Sequence, residues 1–373
     1  MDDLHVRSGA IIALRLFDLA YSIDLKKAEG LWSQSSGHAT SRSRLNSAPP
    51  KALNFDVPPV LLTMNPVPLE IAGVGLNASV TARLYDFGVV AISVRVPAKD
   101  LSWKDYTAFC EATDRCLGPA NQGGPWKQLL GQIRTSLAPA MTRPNDSMLE
   151  EDHLMAIVKE WNEPVVGADL PELIDLVPIL AGEDRQLSEK ARKDLLKQRF
   201  SYYQDDLVVV TWDRSFIYEP RSDSDLSDIL EVANAQLLEF RYYDELLDDE
   251  LPRMYDLVKK ARRATNLLAP RRFADLARKL YTLVAEVTEL TEKADNVLQV
   301  TEDVYLARIY LAALEIFRVP TLSAAVDRKL SIVRDTYAAL YAEASGSRGE
   351  LLEVAIVVLI VIEIVIALIN HSA

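Results

Sequence analysis

The hexapeptide Gly73–Ala78 (GVGLNA) has the spacing of a dinucleotide-binding motif, in which glycines let the backbone approach a pyrophosphate. That motif works only when a strand precedes it and a helix follows it. Here Pro66 and Pro68 precede the motif, and a run rich in strand-forming residues follows it. The sequence therefore predicts a glycine turn between two strands.

Other residues that could do chemistry are scattered. Asp86–Gly88 reads DFG but lacks the remaining protein-kinase motifs. Cys110 and Cys116 are separated by five residues, which is neither a zinc-ligand spacing nor a disulfide framework, so two ordinary buried or half-buried thiols are expected. The histidines show no ligand spacing: His5, His38, His153 and His371. We therefore predict no catalytic, cofactor-binding or metal-ligating residue, and we expect no cofactor.

Two charge blocks follow each other in the second half of the chain. Asp244–Glu250 contains five acids, and the stretch Leu257–Ala274 contains none. The basic residues of that stretch are Lys259, Lys260, Arg262, Arg263, Arg271 and Arg272. Two interpretations stay open: the blocks are solvated helix faces that pair with each other, or the basic block binds anionic lipid headgroups or RNA. Aromatic residues for stacking on single-stranded RNA are few, which favours headgroups if the block lies near a membrane.

The composition limits the class of protein. A chain of 373 residues with 49% apolar residues can form two or three domains with a sizeable core. A net charge of −13 argues against nucleic-acid binding by the whole surface. The N-terminus carries Asp2 and Asp3 where a signal or transit peptide needs positive charge, so neither export nor a mitochondrial presequence is expected.

The apolar segment Leu351–Ile369 predicts a membrane span. Fifteen of its nineteen residues are Val, Ile or Leu, and a helix of this length rises about 28 Å, close to the hydrocarbon core of a bilayer. Insertion gains roughly 4 to 9 kcal/mol from these residues, whereas the central acid Glu363 costs about 3. The predicted helix 350–369 then acts as a single-span tail anchor. Arg348 precedes it and no basic residue follows, which predicts an inner (cytoplasmic) membrane protein with most of the chain in the cytoplasm.

Glu363 needs a partner inside the membrane, because desolvation disfavours its charged form. Three interpretations stay open: a contact between spans of a homo-oligomer, an acid tolerated near the interface, or part of a proton or ion path. A single span with one acid makes a poor conduit, so the oligomer contact is favoured.

Strand patterns alternate with helices in the first 220 residues. A Ser-rich flexible loop is predicted at Ser33–Pro50. The pentapeptides RLFDL, from Arg15, and RLYDF, from Arg83, resemble each other, by duplication of a βα unit or by chance. Strands are predicted in Ala10–Leu25, Val80–Pro97 and Asp205–Pro220, with turns at Asp86–Gly88 and Trp212–Arg214. Helices are predicted in Ser102–Cys116 with Ser102 as N-cap, in Glu150–Asn162 and in Ser188–Phe200.

The second half is predicted to be helical. No glycine occurs between Gly182 and Gly346. A heptad pattern runs through Leu276, Leu280, Leu283, Val287, Leu290, Ala294 and Val297, and a second one through Val326, Leu330, Val333, Tyr337 and Leu340. The heptad phase slips within Val297–Val304, where a bend or break is expected. The pattern favours a bundle that packs on itself, and a coiled coil between chains stays open as the alternative.

Two stretches resemble the "required for meiotic nuclear division" family: Leu238–Leu251 (LEFRYYDELLDDEL) and the apolar tail with its second acid, Glu363. The resemblance covers mainly residues 205 to 369. The family's aromatic residue is absent from Leu352–Ile356. The resemblance implies an α+β N-terminal domain, a helical region and a C-terminal membrane segment. Mitochondrial members are multimeric inner-membrane proteins that support organellar translation; this chain resembles the bacterial members, and no catalytic residue carries over.

Together these patterns predict an α+β fold: a mixed α/β domain (1–220), a helical coiled-coil region (221–347) and one transmembrane helix (350–369). The function they favour is a membrane-tethered, self-associating scaffold or adaptor. Two alternatives stay open: a membrane-attached enzyme acting on a nucleotide or lipid through the N-terminal domain, and an RNA or ribosome tether. The expected partners are membrane lipid and further copies of the chain, with RNA or the ribosome as a weaker expectation and the protein partner unknown.

Overall fold

The computed structural model describes residues 4–36, 40–42, 53–55, 57–121, 123–145, 149–182, 185–221, 225–262, 269–295, 298–300 and 304–342. The chain forms two compact units. Unit 1 comprises Met1–Tyr242 and Glu292–Thr321, and unit 2 comprises Tyr243–Thr291 and Leu322–Ala373. The first boundary falls at Tyr242, within a helix, whereas the sequence placed it at residue 220.

Strands and helices alternate through unit 1, and long helices continue into unit 2. The strands are β1 (His5–Asp18), β2 (Ala20–Ile23), β3 (Thr40–Arg42), β4 (Leu53–Phe55), β5 (Val60–Ile71), β6 (Val74–Leu84), β7 (Val89–Ser102), β8 (Met141–Pro144), β9 (Glu150–Trp161), β10 (Arg199–Phe200), β11 (Leu207–Val210), β12 (Arg214–Tyr218) and β13 (Leu298–Val300). The helices are α1 (Leu25–Ser36), α2 (Trp103–Leu117), α3 (Trp126–Leu137), α4 (Leu170–Leu173), α5 (Val177–Ala181), α6 (Glu189–Leu195), α7 (Leu226–Arg262), α8 (Ala269–Asp295), α9 (Val304–Ile316) and α10 (Val319–Ala342).

Within the described residues, nine strands form one sheet in the order β10-β11-β12-β9-β1-β7-β6-β5-β3. All neighbours are antiparallel except β12 and β9, which are parallel. The central strand β1 pairs with β7 on one side and with β9 on the other. Helices cover both faces of the sheet, so its central strands are buried on both sides. The mixed α/β fold and the C-terminal helices are as the sequence predicted.

Alternate residues of β1 point to opposite faces of the sheet. Ile11, Ala13 and Phe17 belong to the core that α1, α2 and α3 cover, and we call this the α2 face. The opposite face carries α7 and is called the α7 face, because Arg83 of β6 and Glu151 of β9 form ion pairs with that helix.

Helix α7 is enclosed along its first half. Every residue from Ile229 to Phe240 is buried, including four polar ones: Glu231, Asn234, Gln236 and Glu239. Gln236 donates a hydrogen bond to the carbonyl of Ala294 at 2.5 Å and accepts one from the Tyr310 hydroxyl at 2.6 Å. A helix buried on all sides has no solvent face, so its polar groups need partners within the fold.

Three sequence predictions in unit 1 were wrong in whole or in part. The helix predicted at Ser188–Phe200 ends at Leu195, and Arg199–Phe200 pair with β11 as strand β10. Glu150–Trp161 is strand β9, not a helix, since its apolar run HLMAIV lies between β1 and β12 and is buried on both faces, which removes the alternation expected of a strand. The predicted flexible loop 33–50 is partly ordered, because Ser33–Ser36 complete α1 and Thr40–Arg42 pair with β5. The rest of that loop lies outside the described residues.

Other local predictions were confirmed. Ala10–Leu25 contains most of β1 and all of β2. The turns of the β6–β7 and β11–β12 hairpins lie where the sequence predicted them. The Ser102 hydroxyl accepts a hydrogen bond from the Asp105 amide at 3.1 Å and caps α2. Ala72 and Gly73 form the two-residue turn between β5 and β6, with φ of 53° and 77°, as expected for a type I′ hairpin.

Unit 2 consists of the later part of α7, most of α8 and most of α10. The long run Arg271–Phe317 is broken, since α8 ends at Asp295 and α9 begins at Val304, around the predicted phase slip. Lys329 of α10 forms ion pairs with Asp244 and Asp248 of α7, both at 2.6 Å. Most of the heptad residues are already buried within the single chain: Leu276, Leu280, Val287 and Leu290 on α8, and Val326, Leu330, Val333 and Leu340 on α10.

Among the described helices, no single one is both long and apolar enough to cross a membrane, and α9 and α10 meet that criterion only as a broken pair, by length and composition alone. The predicted span 350–369 lies outside the described residues.

Replacing Gly88 with alanine is predicted to destabilise the fold by at least about 2 kcal/mol. Gly88 has a φ of +99°, and a Cβ atom there would lie 1.7 Å from the carbonyl oxygen of Ala20. Gly75→Ala is the matched control, since no atom lies within 4 Å of its Cβ position. Urea unfolding of both variants measures the difference. Equal stability of the two variants would contradict the packing of the Asp86–Gly88 turn against the start of β2.

Candidate functional site

The α2 face carries a group of charged residues that we call the carboxylate–arginine cluster: Arg15 on β1, Asp114 on α2, Asp152 on β9, and Asp213 and Arg214 at the start of β12. Arg214 Nη2 lies 2.6 Å from Asp114 Oδ2, and its Nε lies 3.8 Å from Asp213 Oδ2. Arg15 and Asp152 are directly opposite each other in the β1–β9 register. Three carboxylates and two guanidinium groups therefore lie near one another on this face of the sheet.

Arg15 is buried within this cluster. Its guanidinium carbon lies 5.0 Å from the centre of the Trp126 ring, a cation–π arrangement. Its Nη1 lies 3.8 Å from Glu150 Oε1, and its Nε and Nη2 find no hydrogen-bond acceptor within the described part of the chain. These two donors are shielded from solvent, so an oxygen-bearing ligand could reach them only if the surrounding side chains moved.

The carboxylates of the cluster influence each other. Burial raises the pKa of Asp152 to about 6; Arg15 opposes this shift, and Asp213, Asp114 and Glu150 add to it. Burial likewise raises the pKa of Asp213, against the lowering effect of Arg214. Asp152 can therefore take up or release a proton near neutral pH, which is a property of many general acid–base residues.

Local backbone geometry makes room for Arg214. Gly182 ends α5 in the left-handed conformation with φ of +62°, and a Cβ atom there would lie 2.3 Å from the guanidinium of Arg214. The Thr211 hydroxyl donates to the carbonyl of Arg214 at 2.9 Å, which fixes the turn that carries Asp213.

Burial shifts the pKa of three residues of types that are often used in catalysis: His153, Cys110 and Cys116. His153 is buried on the α7 face, where burial lowers its pKa to about 3, and its ring lies 5.6 Å from that of Phe317. Cys110 is buried and Cys116 is half-buried, both as free thiols, as predicted, and burial raises the pKa of each. No three His, Cys, Asp or Glu side chains among the described residues are arranged to hold a metal ion.

Ion pairs also cross from the sheet to α7. Arg83 lies 2.9 Å from both Glu231 and Asp228, and the Tyr85 hydroxyl donates to Glu231 at 3.0 Å. Burial alone would lower the pKa of Arg83, but the charges of Glu231 and Asp228 more than reverse this effect and raise it. A further pair joins Arg241 to Glu151.

Asp18, at the end of β1, is a second buried acid. Asn145 donates to its Oδ2 at 2.5 Å. Burial raises the pKa of Asp18 to about 7, although the hydrogen bond from Asn145 and the charge of Arg134 lower it. In the folded protein this group is therefore half protonated near neutral pH, whereas in the unfolded chain it is ionised.

The structure puts the sequence-predicted residues in several places. Gly73–Ala78 forms the β5–β6 turn and the start of β6, beside an open groove of about 440 Å³ lined by Pro68, Leu69, Glu70, Gly75, Leu76 and Asn77. Lys259, Lys260 and Arg262 lie in the last turn of α7, and Arg271 and Arg272 in the first turn of α8. Arg263 and Glu363 lie outside the described residues.

Acids of the first charge block form ion pairs with residues outside the basic block, whereas the side chains of Lys260, Arg262, Arg271 and Arg272 lie outside the described part of the chain. Asp244 and Asp248 pair with Lys329, and Glu250 pairs with Arg253 at 2.6 Å. Lys259 follows Asp248 by eleven residues, about 17 Å along α7, which is too far for an ion pair.

Sequence reasoning missed both charged groups of unit 1, although one signal was available. The repeated pentapeptides RLFDL and RLYDF each contain one of the buried arginines, Arg15 and Arg83. A charged residue within a strand otherwise buried on both faces indicates an internal ion pair. The partners of these arginines come from distant elements, so spacing alone could not identify them.

The fold and site define an α+β protein with a large mixed sheet and internally paired arginines. Residues 8–225 match the family described as "Uncharacterized protein MJ0711, N-terminal domain", and the chain belongs to this family. The curated protein of that name from Methanocaldococcus jannaschii is 27% identical over 194 residues, which cover 52% of this chain and 58% of that protein. No solved structure matches the chain.

The resemblance to the "required for meiotic nuclear division" family stays a prediction, because it rests mainly on residues after the matched region.

Replacing Arg83 with methionine is predicted to destabilise the protein by about 3 to 5 kcal/mol, because Glu231 would stay buried without its main cation. The double variant Arg83→Met/Glu231→Leu removes both charges and should recover a large part of this loss. Chemical denaturation of the wild type, both single variants and the double variant forms the cycle. Additive losses in the double variant would rule out a coupled pair.

Asp18→Asn is predicted to stabilise the protein more at pH 8 than at pH 4. The pKa of Asp18 is about 7 in the folded protein and lower in the unfolded chain. The neutral, protonated acid is therefore compatible with the fold below about pH 4, and this contribution to stability is lost as the pH rises through about 7. An asparagine keeps the neutral form at every pH, so the gain at pH 8 should be on the order of 4 kcal/mol. Thermal unfolding across this pH range measures it, with Asp24→Asn as the exposed control. A pH-independent difference would contradict the burial of the acid.

Proposed function

We propose that this chain is a membrane-tethered, self-associating scaffold or adaptor, anchored in the inner membrane by the segment 350–369 with most of the chain in the cytoplasm. The observation that carries the proposal is the apolar run Leu351–Ile369, with one acid, Glu363, near its middle. The finer fold, a transmembrane helix after a coiled-coil region, belongs to the same proposal. So does the resemblance to the multimeric membrane proteins of the "required for meiotic nuclear division" family.

Self-association is assigned to the span itself. Most heptad residues of α8 and α10 are already buried within one chain, so few of them can pack against a second copy. In lipid, a hydrogen bond across a helix–helix contact stabilises Glu363, and a neighbouring copy of the span supplies the partner for this bond.

An exposed aromatic surface on unit 1 supports the adaptor role. Tyr202, Tyr203 and Trp212 are about half exposed or more, and so are Val304 and Leu311 on α9. Arginines contact these aromatic residues: Arg221 lies 4.8 Å from the Tyr203 ring and Arg318 lies 5.9 Å from the Trp212 ring. Tyrosine, tryptophan and arginine are the residues that dominate the energetics of protein–protein interfaces.

The second candidate is an enzyme that acts through the carboxylate–arginine cluster. Its support is specific: a half-buried acid with a pKa of about 6, Asp152, lies opposite the buried Arg15, two of whose donors have no acceptor within the described part of the chain. A nucleotide or lipid phosphate would bind to Arg15, and Asp152 would transfer a proton. The scaffold is preferred, because Arg214 is already paired with Asp114 and the surrounding acids oppose an anionic substrate.

Glu363→Leu is predicted to keep the protein in the membrane and to reduce it to a single copy. Leucine favours insertion more than glutamate does, and it removes the buried acid that drives the contact. Light scattering of the detergent-solubilised protein should give at least twice the 41.6 kDa chain mass for the wild type and one chain mass for the variant.

Glu353→Leu is the control for this experiment, because Glu353 lies at the edge of the predicted span and should not affect assembly. A wild-type protein that is monomeric in detergent would contradict the self-association proposal. So would a Glu363→Leu variant whose complex has the same mass as that of the wild type.

A further inference from the structure

We propose that the outer face of α9, with the aromatic rings beside it, is a docking surface for an acidic amphipathic helix of a partner protein. The whole surface lies within unit 1. The inference rests on the proposed function, because it takes the chain to be an adaptor, and it adds the class of partner. We call this the arginine–aromatic surface, and it consists of Tyr202, Trp212, Arg221, Arg308, Leu311 and Arg318.

The inner face of α9 is already packed within unit 1. Ile309 and Ala313 are fully buried, and so is Phe317 just after the helix. The Tyr310 hydroxyl donates a hydrogen bond to Gln236 of α7 at 2.6 Å. These contacts attach α9 to the fold, so the apolar residues on its opposite face are not needed for that purpose.

That outer face carries an exposed stripe at heptad spacing. Val304, Arg308, Leu311 and Glu315 follow each other in steps of four, three and four residues, and all are exposed. Val304 and Leu311 are 81% and 61% exposed, and they lie about 10 Å apart on one line of the helix. Apolar residues at this spacing are what a second helix packs against. The spacing therefore indicates that the partner segment is a helix.

Aromatic rings extend the surface at both ends of α9. Near its start, the ring of Tyr202 lies 5.3 Å from that of Tyr305. Just past its end, the ring of Trp212 lies 6.4 Å from that of Phe317. Phe317 follows Tyr305 by twelve residues, so the two ends are about 18 Å apart along the helix. A partner helix of about twelve residues has this length.

Three exposed arginines accompany the rings, and within the described part of the chain none of them forms an ion pair. A guanidinium that lies over an aromatic ring keeps its N–H donors at the edge of its plane, where they can reach a carboxylate. The contacts are Arg221 over Tyr203 at 4.8 Å, Arg308 over Phe200 at 5.5 Å and Arg318 over Trp212 at 5.9 Å.

The charge of the surface selects an acidic partner. Glu315 is an exposed acid on the outer face of α9, and three arginines outweigh it. Two nearby acids are directed elsewhere: Asp206 accepts a hydrogen bond from the Tyr202 amide at 2.7 Å, and Asp213 lies beside Arg214 on the α2 face. Complementary charge across an interface favours the correct partner and suppresses others.

Single-stranded RNA is the other anionic partner to consider. Its bases could stack on the exposed rings of Tyr202 and Trp212, and its phosphates could contact the arginines. Such binding would leave Val304 and Leu311 exposed to water, whereas the apolar side of a helix covers them. The aliphatic residues therefore favour a peptide over RNA.

The test measures the binding of two designed helical peptides of about fifteen residues to the full chain in a non-ionic detergent. Both carry leucines at heptad spacing, and the flanking positions are glutamate in one and lysine in the other. The surface variant is Arg221→Glu/Arg308→Glu/Arg318→Glu. The control variant, Arg115→Glu/Arg185→Glu/Lys193→Glu, reverses three exposed charges elsewhere in unit 1. Fluorescence anisotropy gives the affinities, and circular dichroism confirms that both variants fold.

The wild type and the control variant should bind the glutamate peptide at least about tenfold more tightly than the lysine peptide, because each exposed ion pair changes affinity by about twofold to fivefold. The surface variant should prefer the lysine peptide. A wild type without this preference, or a surface variant that keeps it, would overturn the proposal. So would binding of a labelled oligouridylate to a wild type that ignores both peptides, which would assign the surface to RNA.

A second pair of variants tests the apolar contact. Leu311→Ser should weaken binding of the glutamate peptide by at least about tenfold, because it removes a side chain that the partner helix covers. Leu173→Ser is the control, since Leu173 is 44% exposed on α4, outside the surface. Equal affinities of these two variants would contradict docking of a helix on α9.

Failure of this inference can be told apart from failure of the proposed function. Extraction with alkaline carbonate and light scattering test the span and the self-association on the same protein. A chain that stays in the membrane as a multimer but shows no peptide preference fails only this inference. A chain that is released as a monomer and still prefers the glutamate peptide fails only the proposed function.

Discussion

The structure of unit 1 depends on pairing charges inside a sheet that is covered on both faces. Arg83 stands in β6 with its guanidinium buried, where an unpaired charge would cost several kcal/mol. Glu231 and Asp228 of α7 form ion pairs with Arg83. Arg241, ten residues after Glu231, forms an ion pair with Glu151 of β9. Two ion pairs about 15 Å apart along α7 therefore fix how the helix lies on the sheet. Apolar packing alone would allow the helix to slide or rotate.

Local signals predicted much of this fold. The strand-forming residues and glycine turns identified β1, the β6–β7 hairpin and the β11–β12 hairpin, because turn chemistry acts within a few residues. Strand β9 was missed, since a strand buried on both faces loses its alternation and resembles a helix rich in Leu, Met and Ala. The ion pairs of Arg15 and Arg83 could not be predicted, because their partners lie more than 100 residues away along the chain.

The same charges bear on function. Arg83, Arg214 and Arg241 are already bound to carboxylates of the fold, so their first role is to hold elements together. Arg15 and Asp152 are less constrained and are the residues most open to chemistry. A surface with the composition of a binding site lies elsewhere in unit 1, at the exposed Tyr202, Tyr203 and Trp212.

The most direct test of this account is to count copies of the intact chain in its native membrane. Fluorescently labelled chains, extracted with their surrounding lipid by a styrene–maleic acid copolymer, are counted by single-molecule photobleaching. The account predicts that the chains are found in the lipid particles, with two or more bleaching steps in most of them. Chains recovered in the soluble fraction, or particles that bleach in a single step after correction for incomplete labelling, would contradict it.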